Sequence, residues 1–399
     1  MEYDFVVVGG GAAGIFAALT AKATHPEWNV VVLEKTAVLL SKVRVSGGGR
    51  CNVTHACFDP DLLVKNYPRG GRELLGPFHR FQPKDTVLWF ESRGVKLKVE
   101  ADGRMFPTTD SSETIIKALL NEANKCGVEI RLKQRIKGIE KRQGGGFELV
   151  MKEGEGILAK RLVLATGSGA DGFSWAAKLG SAIEPAVPSL FTFNIPTSPL
   201  KELSGIAVNP VELTLPGCSF VQRGPLLITH FGFSGPAVLK LSAWAAQFLH
   251  EKGYKTPLTI NWLPEFSEEE IYKILSRFKI ESSQKAFSSE SLFKLPKNLW
   301  RTLLGDKFNK RIGDIALKDL QNLAHKLHAD IYEIDGKTTH KEEFVTCGGV
   351  CLKEVNFKTM ESKMCPGLFF AGEILDIDGV TGGFNFQNAW TTAFIAGSN

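Results

Sequence analysis

The chain has 399 residues, enough for two or three domains, and its 43% hydrophobic and 10% aromatic content supplies an ordinary globular core. A net charge of +5, from 48 basic and 43 acidic residues, is too small an excess to establish a nucleic-acid partner. The 7 cysteines form an odd set without a CxxC pair, which argues against a zinc ribbon or a secreted disulfide framework, and no metal site is expected.

The N-terminus "MEYDFVVVGG" carries no basic stretch or cleavage signal, so a secretory signal is not expected and a reducing cytoplasm is the expected location. Residues 3–8, "YDFVVV", read as a buried parallel strand. It runs into Gly9, Gly11 and Gly14, a GxGxxG, and then into "AAGIFAALTAKA", small and apolar at helical spacing. A second strand, "NVVVLE", ends at Glu34. A lone GxGxxG says little, but a strand before it, a helix after it and an acid closing the next strand give it meaning. Gly9 permits the tight turn, Gly11 lets backbone approach a pyrophosphate, and Gly14 allows close helix–strand packing. The helix N-terminus offers N–H groups and a positive dipole end, with Ala13 in its first turn. Glu34, followed by Lys35, suits a ribose diol. A dinucleotide site is therefore expected here.

Next comes "RVSGGGRCNVTH", a glycine triplet ahead of Arg50, Cys51 and Asn52. Its position just after the second strand suggests backbone N–H groups of Gly48 and Gly49 drawn up to a large planar ligand. Residues 70–125 read as a helical excursion, with "KDTVLWFESRGV" and "SSETIIKALLNEANKCGV" both amphipathic and Ser111 or Ser112 as a cap for the second. "VEIRLKQRIKGIEK" and "FELVMKEGEGILAKRLVLATG" alternate like strands around a hairpin turn at Gly144–Gly146. Ile136 falls where such a fold offers backbone to adenine, and the last of these strands ends in Ala165-Thr166-Gly167.

From residue 188 short strands punctuated by Pro and Gly read as an inserted β-rich domain, 188–263. Within it "AVLKLSAWAAQFL" is broken by Lys240, so no membrane-spanning helix is expected. "PEFSEEEIYKILSRF" opens a helical subdomain, 264–330, and 331–341 return from the insert. In 271–310 Lys and Arg outnumber Asp and Glu by nine to three. That excess reads either as a solvated helical face or as a surface for a phosphate-rich partner such as RNA. The first domain then comprises 1–187 and 342–399. Its last part, "GLFFAGEILDIDGVTGGFNFQNAW", is a strand ending at Gly372-Glu373, a loop, and a helix led by Gly383 with Asn385 and Phe386 in its first turn.

Two strands returning to the first domain from distant segments resemble the glutathione-reductase-like FAD fold, a Rossmann-type βαβ domain of the α/β class. The resemblance favours FAD over NAD as the resident cofactor. The sequence further resembles the BaiN/YhiN-like family of FAD-dependent oxidoreductases, also described as the aminoacetone oxidase family. "SGGGRCNVT" (46–54), "ITHFGFSGPAVLKLS" (228–242), "TCGGV" (346–350), "TMESKMCPGLFFAGE" (359–373) and "DIDGVTGGFNFQNAW" (376–390) carry it across nearly the whole chain. It implies an FAD domain, an inserted β-rich domain and a helical subdomain. The chain departs from the pattern in lacking the usual Gly-Arg before the matching Lys42. It also has His55 where Asn is common, and Phe384 and Asn388 where Tyr and Trp are usual.

Flavin carries the electrons, and the protein must supply binding, orientation and a proton. Cys51 is one candidate proton donor, with Arg50 to tune its thiol; His230 is the second. Glu373 and Asp376 suit ribityl hydroxyls or backbone caps. No second strand–GxGxxG–helix appears, so NAD(P)H is expected only as a transient reductant. Three functions follow from the family resemblance and the basic stretch. They are an NAD(P)H-driven reductase of an activated C=C bond, including uridine in ribosomal RNA, an oxidase of a small amine such as aminoacetone, and a flavin-containing RNA-binding protein without turnover. The oligomeric state is not legible.

Overall fold

The computed structural model describes residues 2–288, 291–307, 309–338 and 345–399. The chain divides into two units, Met1–Pro188 with Lys341–Asn399, and Ser189–His340. The return of the insert near 342 lies outside the described residues.

The first unit is built on a parallel sheet. β1 (Glu2–Val8) leads through the turn at Gly9–Gly11 into α1 (Ala12–Thr24) and then β2 (Val30–Leu33). β3 (Glu129–Arg131), β4 (Ile157–Leu164) and β5 (Leu368–Phe370) complete its centre, in the order β5-β4-β1-β2-β3. The strands are short, apolar and β-branched, and Val6, Val7, Val31, Val32, Leu162 and Val163 are buried because helices cover the sheet. Register then fixes the site. Val8 lies opposite both Leu33 and Leu164, and Leu164 opposite Phe370. Gly9, Glu34, Ala165 and Ala371 therefore emerge level at one edge of the sheet.

The final helix, α2 (Phe384–Gly397), packs on α1 with backbone-close spacing: a Cβ on Gly397 would lie 2.4 Å from the Ala17 carbonyl oxygen. A buried polar chain fixes the helix's rotation. Thr54 and Thr86 hydroxyls donate to Gln387 Oε1 (2.6 and 2.9 Å), Gln387 Nε2 donates to Thr391, and Thr391 donates to the Phe81 carbonyl. The expected helices of the 70–125 excursion occur at Pro83–Glu91 and Ser112–Cys126. A small antiparallel sheet of Thr54–His55, Arg104–Pro107 and Leu97–Val99 stands beside them, which the sequence pattern did not suggest because its strands are two to four residues long.

The second unit holds a seven-stranded sheet, antiparallel at every pairing from Ala207–Thr214 with Val221–Ile228 to Lys255–Asn261 with Asp330–Asp335. Helices Pro236–Trp244 and Ala246–Glu251 interrupt the strand-rich stretch 188–263, the first opening with proline at its first position, where the missing N–H costs nothing. Ser267 and Glu270 form a reciprocal cap that starts Glu268–Glu281. One core joins strand residues such as Leu213 and Ile260 to helix residues such as Leu275, Trp300 and Leu323. The expected β-rich and helical parts thus share a single interior. Among the described residues no helix is long and apolar enough to cross a membrane.

Candidate functional site

A cavity of about 1000 Å³ opens at the level edge of the parallel sheet, lined entirely by the first unit. Its first wall is the turn after β1. Gly9 has φ +115°, and a Cβ there would lie 2.4 Å from the Ala165 carbonyl oxygen. A Cβ on Gly14 would lie 1.8 Å from the Gly9 carbonyl oxygen, so Gly14 serves packing and does not line the cavity. Gly11 is different: a Cβ there would meet nothing within 4 Å. It caps α1 without a side-chain hydrogen bond, leaving first-turn N–H groups and the dipole's positive end open beside Ala13. Open N–H donors and space at the same point fit a pyrophosphate.

Glu34 lines the cavity at the end of β2, where its two oxygens accept from the N–H groups of Gly10 and Thr36, both at 2.8 Å. Each oxygen keeps a lone pair for a hydroxyl, so the carboxylate shapes the turn and still suits a ribose diol. Lys35 stands 3.5 Å from Asp171 at the exposed rim, and Ile136 lines the same side. Ala165, Thr166 and Gly167 follow β4 along the cavity, and the Thr166 hydroxyl is buried without a partner. Gly372 and Glu373 follow β5. Glu373 pairs with Lys42 and accepts from Thr346 N–H at 3.2 Å.

The glycine triplet has another cause than the one expected. Gly47, Gly48 and Gly49 have φ of +57°, +68° and +82°, three left-handed residues in a row. Side chains strongly disfavour such a run. Gly47 lines the cavity, but Gly48 and Gly49 do not. Arg50 turns away to Glu100 (2.7 Å), with its guanidinium 4.0 Å over the Phe106 ring. It is therefore committed elsewhere and does not tune the neighbouring thiol. Cys51, at φ +63°, is fully buried off the cavity, and burial pushes its thiol up to about 12. Asn52 does line the cavity; with its amide oriented to satisfy both ends, it accepts from Gly383 N–H (2.9 Å) and donates to the Thr54 carbonyl (3.0 Å).

Gly383, at φ +90°, caps α2 and lines the cavity with Asn385, Phe386 and Asn388. The loop before it is fastened by residues that sequence spacing could not reveal. Arg69 grips the buried Asp378 carboxylate with two N–H groups. Asn66 accepts from Val380 N–H at 2.9 Å, and the Tyr67 hydroxyl donates to the Phe384 carbonyl at 2.7 Å. Asn385 closes the loop on itself through both Gly379 backbone groups, at 2.8 and 2.9 Å. Asp376 accepts from Gly348 N–H, and burial raises its carboxyl above the usual range.

His230 belongs to the second unit, exposed on the turn after Val221–Ile228 with its ring 4.0 Å from that of Phe231; it is not part of this cavity. In the basic stretch Phe287 and Trp300 are fully buried, so these aromatics are core. Lys273 pairs with Glu269, and Lys279 donates to the carbonyls of Ile312 and Ile315. Arg277, Lys294, Lys297 and Arg301 are exposed.

A Rossmann turn with open N–H groups, an acid after the second strand, and a returning strand and helix that complete the cavity define an FAD-dependent oxidoreductase. The chain belongs to the family described as HI0933-like protein Rossmann domain, whose model matches residues 3–399. It is 27% identical to a 3-dehydro-bile acid delta(4,6)-reductase of Clostridium scindens, over 98% of this chain and 97% of that one. It is 30% identical to a ribosomal RNA dihydrouridine synthase of Escherichia coli, over 98% and 96%. Among solved structures, a 3-ketosteroid-delta4-(5alpha)-dehydrogenase from Rhodococcus jostii aligns with a TM-score of 0.52 at 15% identity, covering 100% of this chain and 97% of that one. A flavocytochrome c3 fumarate reductase aligns at 0.51 and 18%, covering 100% and 78%. At those identities they speak for the fold.

Proposed function

We propose that this protein is an NAD(P)H-driven reductase that saturates a C=C bond conjugated to a carbonyl. The observation that carries the reading is chemical agreement between relatives whose named substrates differ. Reducing a delta(4,6) 3-dehydro-bile acid and making dihydrouridine from uridine both add two hydrogens across such a bond. Bound FAD would supply the two-electron redox chemistry that links a dihydronicotinamide to the substrate.

The residues have distinct tasks in this reading. The open turn at Gly11 would hold the pyrophosphate, Glu34 a ribose diol, and Ile136 the adenine. Lys42 and Glu373 order the middle of the cavity. The N-terminus of α2, which Gly383 caps without a side chain, would offer its positive end to an electron-rich ring bound in the cavity. The proton for the second carbon needs a donor that releases it near neutrality. Cys51 holds its proton far too tightly for that task and does not line the cavity.

Anaerobic mixing tests the reaction class. NADPH or NADH should bleach the flavin, and an α,β-unsaturated ketone or a uridine-containing RNA should restore its colour. Bleaching by aminoacetone and not by a dihydronicotinamide would replace the reductase with an amine oxidase. No bleaching by either would leave a flavoprotein without turnover. For the substrate, mass spectrometry of ribosomal RNA from cells lacking the protein decides: loss of dihydrouridine supports RNA, and a normal level points to a small conjugated ring. The exposed Lys294, Lys297 and Arg301 sharpen this arm. Their replacement by Ala should flatten the salt dependence of RNA binding by roughly 0.9 in log–log slope per lost duplex phosphate contact.

A further inference from the structure

Asn388 is 2% exposed, lines the cavity, and has a side-chain carbonyl buried without any hydrogen-bond partner. Its neighbours on α2 are all committed: Asn385 to Gly379, Gln387 to Thr54, Thr86 and Thr391, Trp390 to the Val53 carbonyl. An orphaned amide in so dry a place costs free energy that an apolar side chain of the same size would not. It is therefore accounted for by a donor that arrives with a ligand.

Its place in the sheet says which end of the ligand that is. The Thr392 hydroxyl accepts from Gly372 N–H at 2.9 Å and donates to the main-chain carbonyl of Asn388 at 2.6 Å, which ties Asn388 to the end of β5. Glu34 stands at the end of β2, three strands away in the order β5-β4-β1-β2. At strand spacing that is about 14 Å. A residue beside β5 is thus on the far side of the cavity from the ribose-binding acid.

We propose that Asn388 reads the flavin half of FAD, its side-chain carbonyl accepting a hydrogen bond from a ribityl hydroxyl or from the ring imide N–H. The inference rests on FAD as the resident cofactor and is independent of the substrate. The test compares apoprotein of the wild type and of Asn388→Leu, titrated separately with FAD and with ADP, which carries only the adenosine end. FAD binding should weaken by roughly 3- to 10-fold while ADP binding stays unchanged. The melting temperature of the Asn388→Leu apoprotein should not fall, since the substitution removes a buried orphan. Unchanged FAD affinity would overturn the assignment. So would a parallel loss of FAD and ADP affinity or a lowered apoprotein melting temperature, either of which marks a packing role. A wild type that takes up no FAD would refute the cofactor itself, a result distinct from all of these.

Discussion

The turn after β1 and the run Gly47–Gly49, which reaches the cavity only at Gly47, are both rich in glycine, yet they meet different physical demands. At Gly9 and Gly14 the constraint is space, because backbone oxygen atoms occupy the positions where a Cβ would go. At Gly48 and Gly49 there is nothing within 4 Å of a Cβ, and the constraint is handedness. Gly11 has neither problem, with open space and an extended backbone at φ −84°. Its lack of a side chain matters only once a ligand is present. Identical residues thus encode close packing, a left-handed path and a vacated contact surface.

Substitutions should separate the three. Gly14→Ala forces a methyl against a main-chain oxygen that cannot rotate away, and should cost about 3 kcal/mol or more in denaturant unfolding of the apoprotein. A loss below about 1 kcal/mol would show that the turn yields and that space is not limiting. The next effect concerns Cys51, which shares the left-handed path and is sealed beneath it. Burial raises its thiol to about 12, above the value of an unfolded chain. Unfolding then releases a proton once the pH passes about 9, so stability should fall as pH rises from there towards 12. The slope should approach about 1.4 kcal/mol per pH unit. Cys51→Ser should lose this share of the slope, so the wild type's stability relative to the variant should fall by that amount for each pH unit above about 9. An identical alkaline slope in the two proteins would mean that the thiol is not sealed.

Gly48→Ala should cost about 1–2 kcal/mol through its left-handed φ alone, and Gly48→Asn clearly less, because asparagine tolerates that region. Equal costs for the two would point to a hidden contact. Gly11→Ala should change apoprotein stability least, by under about 1 kcal/mol. It should nonetheless weaken FAD binding in a fluorescence titration, since its methyl would stand where the cofactor's backbone contact belongs. Undiminished FAD affinity would place the pyrophosphate elsewhere.

The parts of the site legible in the sequence are those whose logic is local. β1, the turn, α1, β2 and Glu34 follow one another within 34 residues, and each strand end that faces the cavity is marked by a glycine or an acid. Cys51 was misread because adjacency in sequence says nothing about direction: its positive φ turns it from the cavity while Asn52 faces in. Arg50 was misread for the same reason, its partner Glu100 being fifty residues away. Asn388 stands out in the sequence only as a departure from the family pattern, and only burial shows that its side-chain oxygen lacks a partner. Arg69 and Tyr67 carried no signal, and Asp378 only as part of the 376–390 motif, because their meaning lies in pairings across 309 and 317 residues.

Those long spans have a consequence for how the molecule comes into being. The part of the cavity built on β1, β2 and β4 is in place once residues near 170 have folded, whereas the part built on β5 and α2 is fastened by Arg69 to Asp378, Tyr67 to Phe384 and Val53 to Trp390. A chain emerging from the ribosome therefore carries half a nucleotide site for most of its synthesis and gains the other half only with its last segment. Trimming at the C-terminus would undo the molecule in the same order, opening the α2 side of the cavity first and leaving the turn after β1 intact.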